Sequence, residues 1–203
     1  MIAPIRSLAR ILTLLLLSGL LSAVSAKTII IDAGHGGRDI GGHYGKVYEK
    51  HLALDTAMRV EYYLKKKGYR TVMIRNSDRF VPLSQRAAQA NRYRNAIFIS
   101  IHYNSTWKKH VQGIETFYHS SKSKALAQAC HQGMQSRVRA TERGVKYARY
   151  YVLRHCKHPA ILMEGGFLSH SGERKKCMKG NYRDQLARGL VDGVVRYDRS
   201  GAW

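Results

Sequence analysis

The chain has 203 residues, enough for one ordinary domain with a proper core. Its 35 Lys+Arg against 13 Asp+Glu give a formal net charge of +22, a surface that adheres to polyanions. Three cysteines, Cys130, Cys156 and Cys177, include no CxxC pair, which excludes the spaced zinc and redox motifs and leaves their pairing undetermined.

In chain order, residues 1–26 (MIAPIRSLARILTLLLLSGLLSAVSA) come first. They hold Arg6 and Arg10, no acid, an apolar run from Ile11 to Leu21, and small residues with Val24 and Ala26 at −3 and −1 of a cleavage site. That layout is expected of a secretory signal peptide. The apolar run falls short of the roughly 20 residues of a membrane span, although an uncleaved anchor is the alternative. An exported protein in the periplasm or cell envelope meets cell-wall polymers and anionic lipid rather than nucleic acid, so no nucleic-acid partner is expected. A single domain is expected over 27–203.

Lys27 to Asp32 is a β-branched strand leading into Asp-Ala-Gly-His35-Gly-Gly. Glu49 to Lys67 has Ala53, Ala57, Val60 and Leu64 on one stripe and Gly68 as a stop, the pattern of a helix. Tyr69 to Arg75 is a strand, and Ser84 caps a short helix over Gln85 to Tyr93. Ala96 to Tyr103 and Gly113 to Tyr118 are strands. Ser123 to Val138 is helical, with Leu126, Ala129, Cys130, Met134 and Val138 on its apolar face. Tyr150 to Arg154 and Ala160 to Glu164 are expected as strands, and Tyr182 to Arg196 as the last helix. Alternation of this kind predicts an α/β fold: a mostly parallel, mixed, twisted sheet with helices on both faces.

Ligands in such sheets bind outside the carboxyl ends of the strands. The Gly34–Gly37 turn fits neither the dinucleotide fingerprint, because Asp39 stands at the last glycine, nor the P-loop, because no Gly-Lys-Ser/Thr follows. The glycines are better read as presenting His35. His102 comes near the end of AIFISIHY, and Glu49 opens the helix after the His35 loop. Two imidazoles and a carboxylate on one rim suit a zinc ion with an open position. Glu164, at the end of an apolar run, is costly unless paired or functional. It is the candidate general acid/base, with Gly165 and Gly166 giving a substrate backbone room. Asp32 is a candidate to fix the tautomer of a ligand histidine. Trp107, Arg143 and His43 are candidate substrate contacts.

These residues carry a resemblance. IIIDAGHGG (29–37), YEKHLALDTAMRVEYYLKKKGYRTVMIR (48–75), LSQRAAQAN (83–91), FISIHYN (98–104), GIETFY (113–118) and RGVKYARYYVLRHCKHPAILMEGGFLSH (143–170) stand in the order of the zinc-dependent N-acetylmuramoyl-L-alanine amidases, the bacterial cell-wall hydrolases. The chain resembles them over nearly all of Lys27 to Tyr197. The resemblance implies one Zn²⁺ on His35, Glu49 and His102, and Glu164 as catalytic acid/base. It implies peptidoglycan as substrate, cut between N-acetylmuramic acid and L-alanine. The alternatives are a zinc peptidase cutting another wall amide and a non-catalytic wall-binding protein. His170 departs from the family's usual Asn after Phe-Leu-Ser. The short span from Tyr118 to Thr141 leaves no room for the plugging helix of some relatives, so an open groove and no obligatory activator are expected; a monomer is expected as well.

Overall fold

A computed structural model describes residues 27–202. The expected signal peptide, 1–26, and Trp203 lie outside the described residues. The elements are β1 (Thr28–Ala33), β2 (His43–Tyr44), β3 (Val47–Tyr48), α1 (Glu49–Lys66), β4 (Arg70–Met73), α2 (Leu83–Ala90), β5 (Ala96–Asn104) and β6 (Ile114–Tyr118). They continue with α3 (Ser121–Arg137), β7 (Glu142–Tyr147), α4 (Tyr151–Arg154), β8 (Ala160–Phe167), α5 (Ser171–Cys177) and α6 (Gly180–Arg199).

Six strands form one sheet in the order β4-β1-β5-β8-β6-β7. All neighbours run parallel except β6 against β8, so the mixed α/β sheet expected from the alternation is present. The central strands β1, β5 and β8 are buried along nearly their whole length, which is why they read as unbroken apolar runs. One face packs Ile29, Ile31, Ile99, Ile101, Ile161 and Met163 against α1, α3 and α6. The other face packs Ile30, Phe98, Phe117 and Leu162 with Val152 and Leu153 of α4. Consecutive residues of a strand point to opposite faces, so both sides of the sheet are apolar and both carry helices.

Two expectations are corrected, and two elements went unread in the sequence. Tyr150–Arg154 is not a strand: Tyr151–Arg154 is a helical turn. The strand lies earlier, at Glu142–Tyr147, a half-buried edge strand whose charges hid it. A short apolar run does not distinguish strand from helix by periodicity alone. The short helix starts at Leu83 after Pro82 rather than behind a Ser84 cap, with Arg86 N–H donating to Pro82 O. The hairpin β2–β3, between the His35 loop and α1, had no sequence signal strong enough to stand out. Cys130, Cys156 and Cys177 are all free thiols, the first and last buried. None of the described helices is long and apolar enough to cross a membrane.

Candidate active site

Parallel pairing of β1 with β5 and of β5 with β8 sets three strand ends side by side. It places Ala33 opposite Ile101 and His102 opposite Glu164. The chain leaves β1 through Gly34 and turns at His35, whose φ of 58° is left-handed. A Cβ at Gly34 would lie 2.3 Å from the His102 ring, so only glycine lets the two imidazoles approach. The His35 and His102 rings meet edge to face at 4.8 Å.

Two buried arginines hold this unusual loop by its carbonyls. Arg75 donates to Ala33 O at 2.8 Å and to Gly34 O at 2.7 Å. Arg86 donates to Ala33 O at 2.7 Å, His35 O at 2.6 Å and Val81 O at 2.9 Å. Its Nη1 also donates to Asp32 Oδ1 at 2.7 Å, and Ser100 Oγ donates to Asp32 Oδ2 at 2.8 Å. Asp32 therefore does not touch a candidate ligand histidine, contrary to the expectation. Its two oxygens are taken up by Arg86 and Ser100, and Arg86 neutralises it. Asp39 takes the role instead: its Oδ1 sits 2.9 Å from His35 Nδ1. The signal was an acid four residues after His35 in the same glycine-rich loop.

Glu49 opens α1 and is almost completely buried. Its Oε2 accepts from Gly42 N at 2.8 Å and its Oε1 from Tyr103 N at 3.0 Å. Oε1 also lies 2.8 Å from His102 Nδ1 and 3.1 Å from His35 Nε2. One ligand atom from each of His35, Glu49 and His102 falls within 4.8 Å of the others. Burial opposes charge on the Glu49 carboxylate, but the hydrogen bonds and charges of His102 and His35 outweigh it and hold its pKa well below the usual range. Burial likewise works against the His35 imidazolium, and Glu49 and Asp39 overcome it, raising that pKa. A carboxylate that stays ionised between two imidazoles is a donor set suited to a divalent cation, zinc above all.

Glu164 stands across from His102. Its Oε2 is buried and has no hydrogen-bond partner. Burial, then the charges of Glu49 and Glu115, push its pKa well above the ordinary carboxylate value. A buried polar atom left without a partner is costly and calls for an explanation. Gly165 and Gly166 do not face a substrate as expected. A Cβ at Gly165 would strike the Tyr103 ring at 2.9 Å, and one at Gly166 would meet Cys177 Sγ at 2.8 Å, so both serve packing beneath the site.

A groove of about 530 Å³ runs over these residues. Its floor is His35, Glu49, His102 and Glu164, and Leu83, Tyr150 and Tyr151 form an apolar wall. Trp107 is 83% exposed and outside this lining, with Lys108 Nζ 5.0 Å from its ring. His43 is exposed on the hairpin, stacked on Tyr48, and also outside the lining. Arg143 pairs with Glu115 at 3.0 Å, beyond Glu164. His170 caps α5: its Nδ1 accepts from Glu173 N at 3.1 Å, the work an Asn side chain does at a helix N-terminus. Glu173 in turn accepts from Phe167 N and Gly113 N, each at 2.8 Å, tying the end of β8 to the start of β6.

Residues 29–196 match the family model described as N-acetylmuramoyl-L-alanine amidase. The chain is 33% identical over 180 residues to the N-acetylmuramoyl-L-alanine amidase LytC of Bacillus subtilis, a match covering 87% of this chain and 36% of LytC. It thus spans little more than a third of that relative's length. Among solved structures, an N-acetylmuramoyl-L-alanine amidase from Clostridium difficile 630 is 38% identical with a TM-score of 0.83, covering 86% of this chain and 98% of that one. The catalytic domain of CwlV from Bacillus (Paenibacillus) polymyxa var. colistinus is 36% identical with a TM-score of 0.82, covering 85% and 98%.

Proposed function

The chain belongs to the N-acetylmuramoyl-L-alanine amidase family, and from that premise we propose that residues 27–203 form one catalytic domain hydrolysing the amide between N-acetylmuramic acid and the L-alanine of the peptidoglycan stem peptide. The observation that carries the reading is the convergence of His35, Glu49 and His102 within 4.8 Å beside the buried, unpartnered carboxyl of Glu164.

The triad is the proposed seat of one zinc ion, which when bound supplies Lewis-acid polarisation of the scissile carbonyl and lowers the pKa of water. The chain's own residues do the rest. Asp39 fixes His35 through Nδ1 and leaves Nε2 turned toward Glu49. Gly42 N and Tyr103 N pin both oxygens of Glu49, so its carboxylate meets the histidines in one orientation. Glu164 takes the proton of the attacking water and returns one to the leaving L-alanine nitrogen. A carboxyl with a raised pKa suits both halves of that shuttle: it takes up a proton readily and holds it for delivery to the nitrogen, which leaves as the free amine. No covalent enzyme intermediate is required.

Residues 1–26 are the proposed signal peptide, sending the domain to the periplasm or cell envelope. Residues 27–203 keep 33 Lys+Arg against 13 Asp+Glu, an excess of 20 that suits association with a wall whose stem peptides carry free carboxylates. The proposed working form is a monomer without an obligatory activator. Helix α3 supports the absence of an activator: Leu126, Ala127, Cys130 and Met134 commit it to the core, and none of its residues lines the groove.

Mass spectrometry of peptidoglycan digested by the zinc-loaded protein tests the reading. Intact stem peptides with a free L-alanine amino terminus are expected. Cuts within the stem would make the protein a peptidase, and an unchanged wall would make it a binding protein.

A further inference from the structure

The sheet continues past Glu164 in a direction the reaction chemistry does not use. On β6, Glu115 stands directly opposite Glu164 in the antiparallel pair, so both carboxylates point to one face. Glu115 is only 4% exposed yet fully engaged. Asn104 Nδ2 donates to its Oε1 at 2.8 Å, and Arg143 Nε donates to its Oε2 at 3.0 Å. Lys146 Nζ donates to that same Oε2. Both cations come from β7, where a register shift brings Arg143 and Lys146 alike to one carboxylate. The Arg143 guanidinium also lies 5.1 Å from the Phe167 ring centre, which restricts it further.

One buried carboxylate thus fixes two cations, and a positive charge is left over. The cations are not themselves buried: the Arg143 side chain is 32% exposed and that of Lys146 39%. Arg143 spends Nε on Glu115, and its two Nη groups make no hydrogen bond among the described residues. A guanidinium pre-set by Nε, with its Nη groups free, is built to take a carboxylate.

We propose that Arg143 and Lys146, positioned by Glu115, form a subsite for a free carboxylate on the second or third residue of the stem peptide. The inference rests on the amidase reading for the direction in which substrate lies. The spacing carries the residue count. From β8 across β6 to β7 is two strand spacings, roughly 10 Å. An extended peptide covers about 3.3–3.6 Å per residue, so that distance spans about three residues from the leaving nitrogen at Glu164. The subsite makes the protein selective for stems whose carboxylates are free over stems in which they are amidated.

The test uses the stem peptide itself, which the enzyme cannot cleave further. It is titrated into the zinc-loaded protein by calorimetry, first as the free acid and then with one carboxylate amidated at a time. The free acid is expected to bind about tenfold tighter than the peptide amidated at the recognised position, the size of one charge-assisted hydrogen bond. Which amide loses the advantage identifies the second or the third residue. Arg143→Gln with Lys146→Gln should abolish the preference while leaving affinity for the amidated peptide unchanged. Glu115→Gln should reduce the preference by releasing the cations, a readout that a purely structural role for Glu115 would not move. Equal affinities of the wild-type protein for acid and amides would overturn the proposal without reference to any variant. So would a preference that persists in the double variant. If acid preference holds but no stem is released from the wall, the subsite stands and the amidase reading fails.

Discussion

Replacing Arg86 by Met puts the buried arginine under the His35 loop to a severe test. Arg86 and Asp32 are each no more than 2% exposed and meet at 2.7 Å. Removing the guanidinium leaves the Asp32 carboxylate in the sheet with only Ser100 Oγ, and breaking a buried pair in this way costs about 3–5 kcal/mol. His35 O and Val81 O lose their Arg86 donor too, whereas Ala33 O keeps Arg75. These losses overlap, because one side chain makes them all, so we take about 4–5 kcal/mol for the whole. In a domain of this size each kcal/mol moves Tm by about 2–4 °C, giving a drop of about 8–20 °C by calorimetry. The loop holds its left-handed His35 only while those carbonyls are tied, so zinc affinity should fall about 10–100-fold as well. Adding Asp32→Asn removes the stranded charge and should restore part of the lost Tm but not the zinc affinity. A single-variant shift below about 3 °C, or a double variant that loses the full sum of both singles, would refute the argument that this ion pair holds the metal loop.

The remaining predictions concern the site directly. Purified protein should bind about one zinc per chain by elemental analysis, and His102→Ala should lose most of it because the three-ligand set is then incomplete; full metal content in that variant would remove the assignment. Glu164→Gln should keep its zinc and lose about 10²–10⁴ in turnover, since it preserves shape and abolishes proton transfer. In the metal-free state the same variant should be more stable than wild type at neutral pH. The folded-state pKa of Glu164 is raised, so its ionisation costs stability that is intact below about pH 4.5 and lost as pH rises through the higher folded value. Chemical denaturation at acid and neutral pH should show the gap closing at low pH. Finally, isolated residues 27–203 with zinc should turn over wall fragments without a lag; silence relieved by a second protein would reveal an obligatory activator.

Much of this protein is legible in one dimension. The apolar runs of β1, β5 and β8 and the stripe of α1 announce a layered α/β fold, because burial on both faces forces unbroken hydrophobic strands and burial on one face forces a helical period. The strand-end rule then brings His35, His102 and Glu164 to one rim, and Glu49 joins them by opening the next helix. Errors concentrate where sequence carries little physical preference. Tyr150–Arg154 is equally apolar as strand or turn, and its packing against α2 and β8 decides for the helix. Edge strand β7 is half-exposed and charged, so nothing in its pattern marks it as part of a sheet.

What only the tertiary structure decided is the supporting chemistry around the four central residues. Asp32 precedes His35 by three positions, yet alternation along β1 turns its carboxylate toward Arg86 and Ser100, which lie 54 and 68 residues further on. Asp39 reaches His35 because the glycines fold the loop back. Glu115, Arg143 and Lys146 become one cluster through strand order, since β6 lies antiparallel beside β8 and parallel beside β7. Sequence by itself marked the candidate side chains at the rim, because strand ends and helix starts are local properties. Pairing across the sheet decided which of them stay ionised, which are tied down, and which remain free to meet a substrate, because those depend on partners far away in the chain.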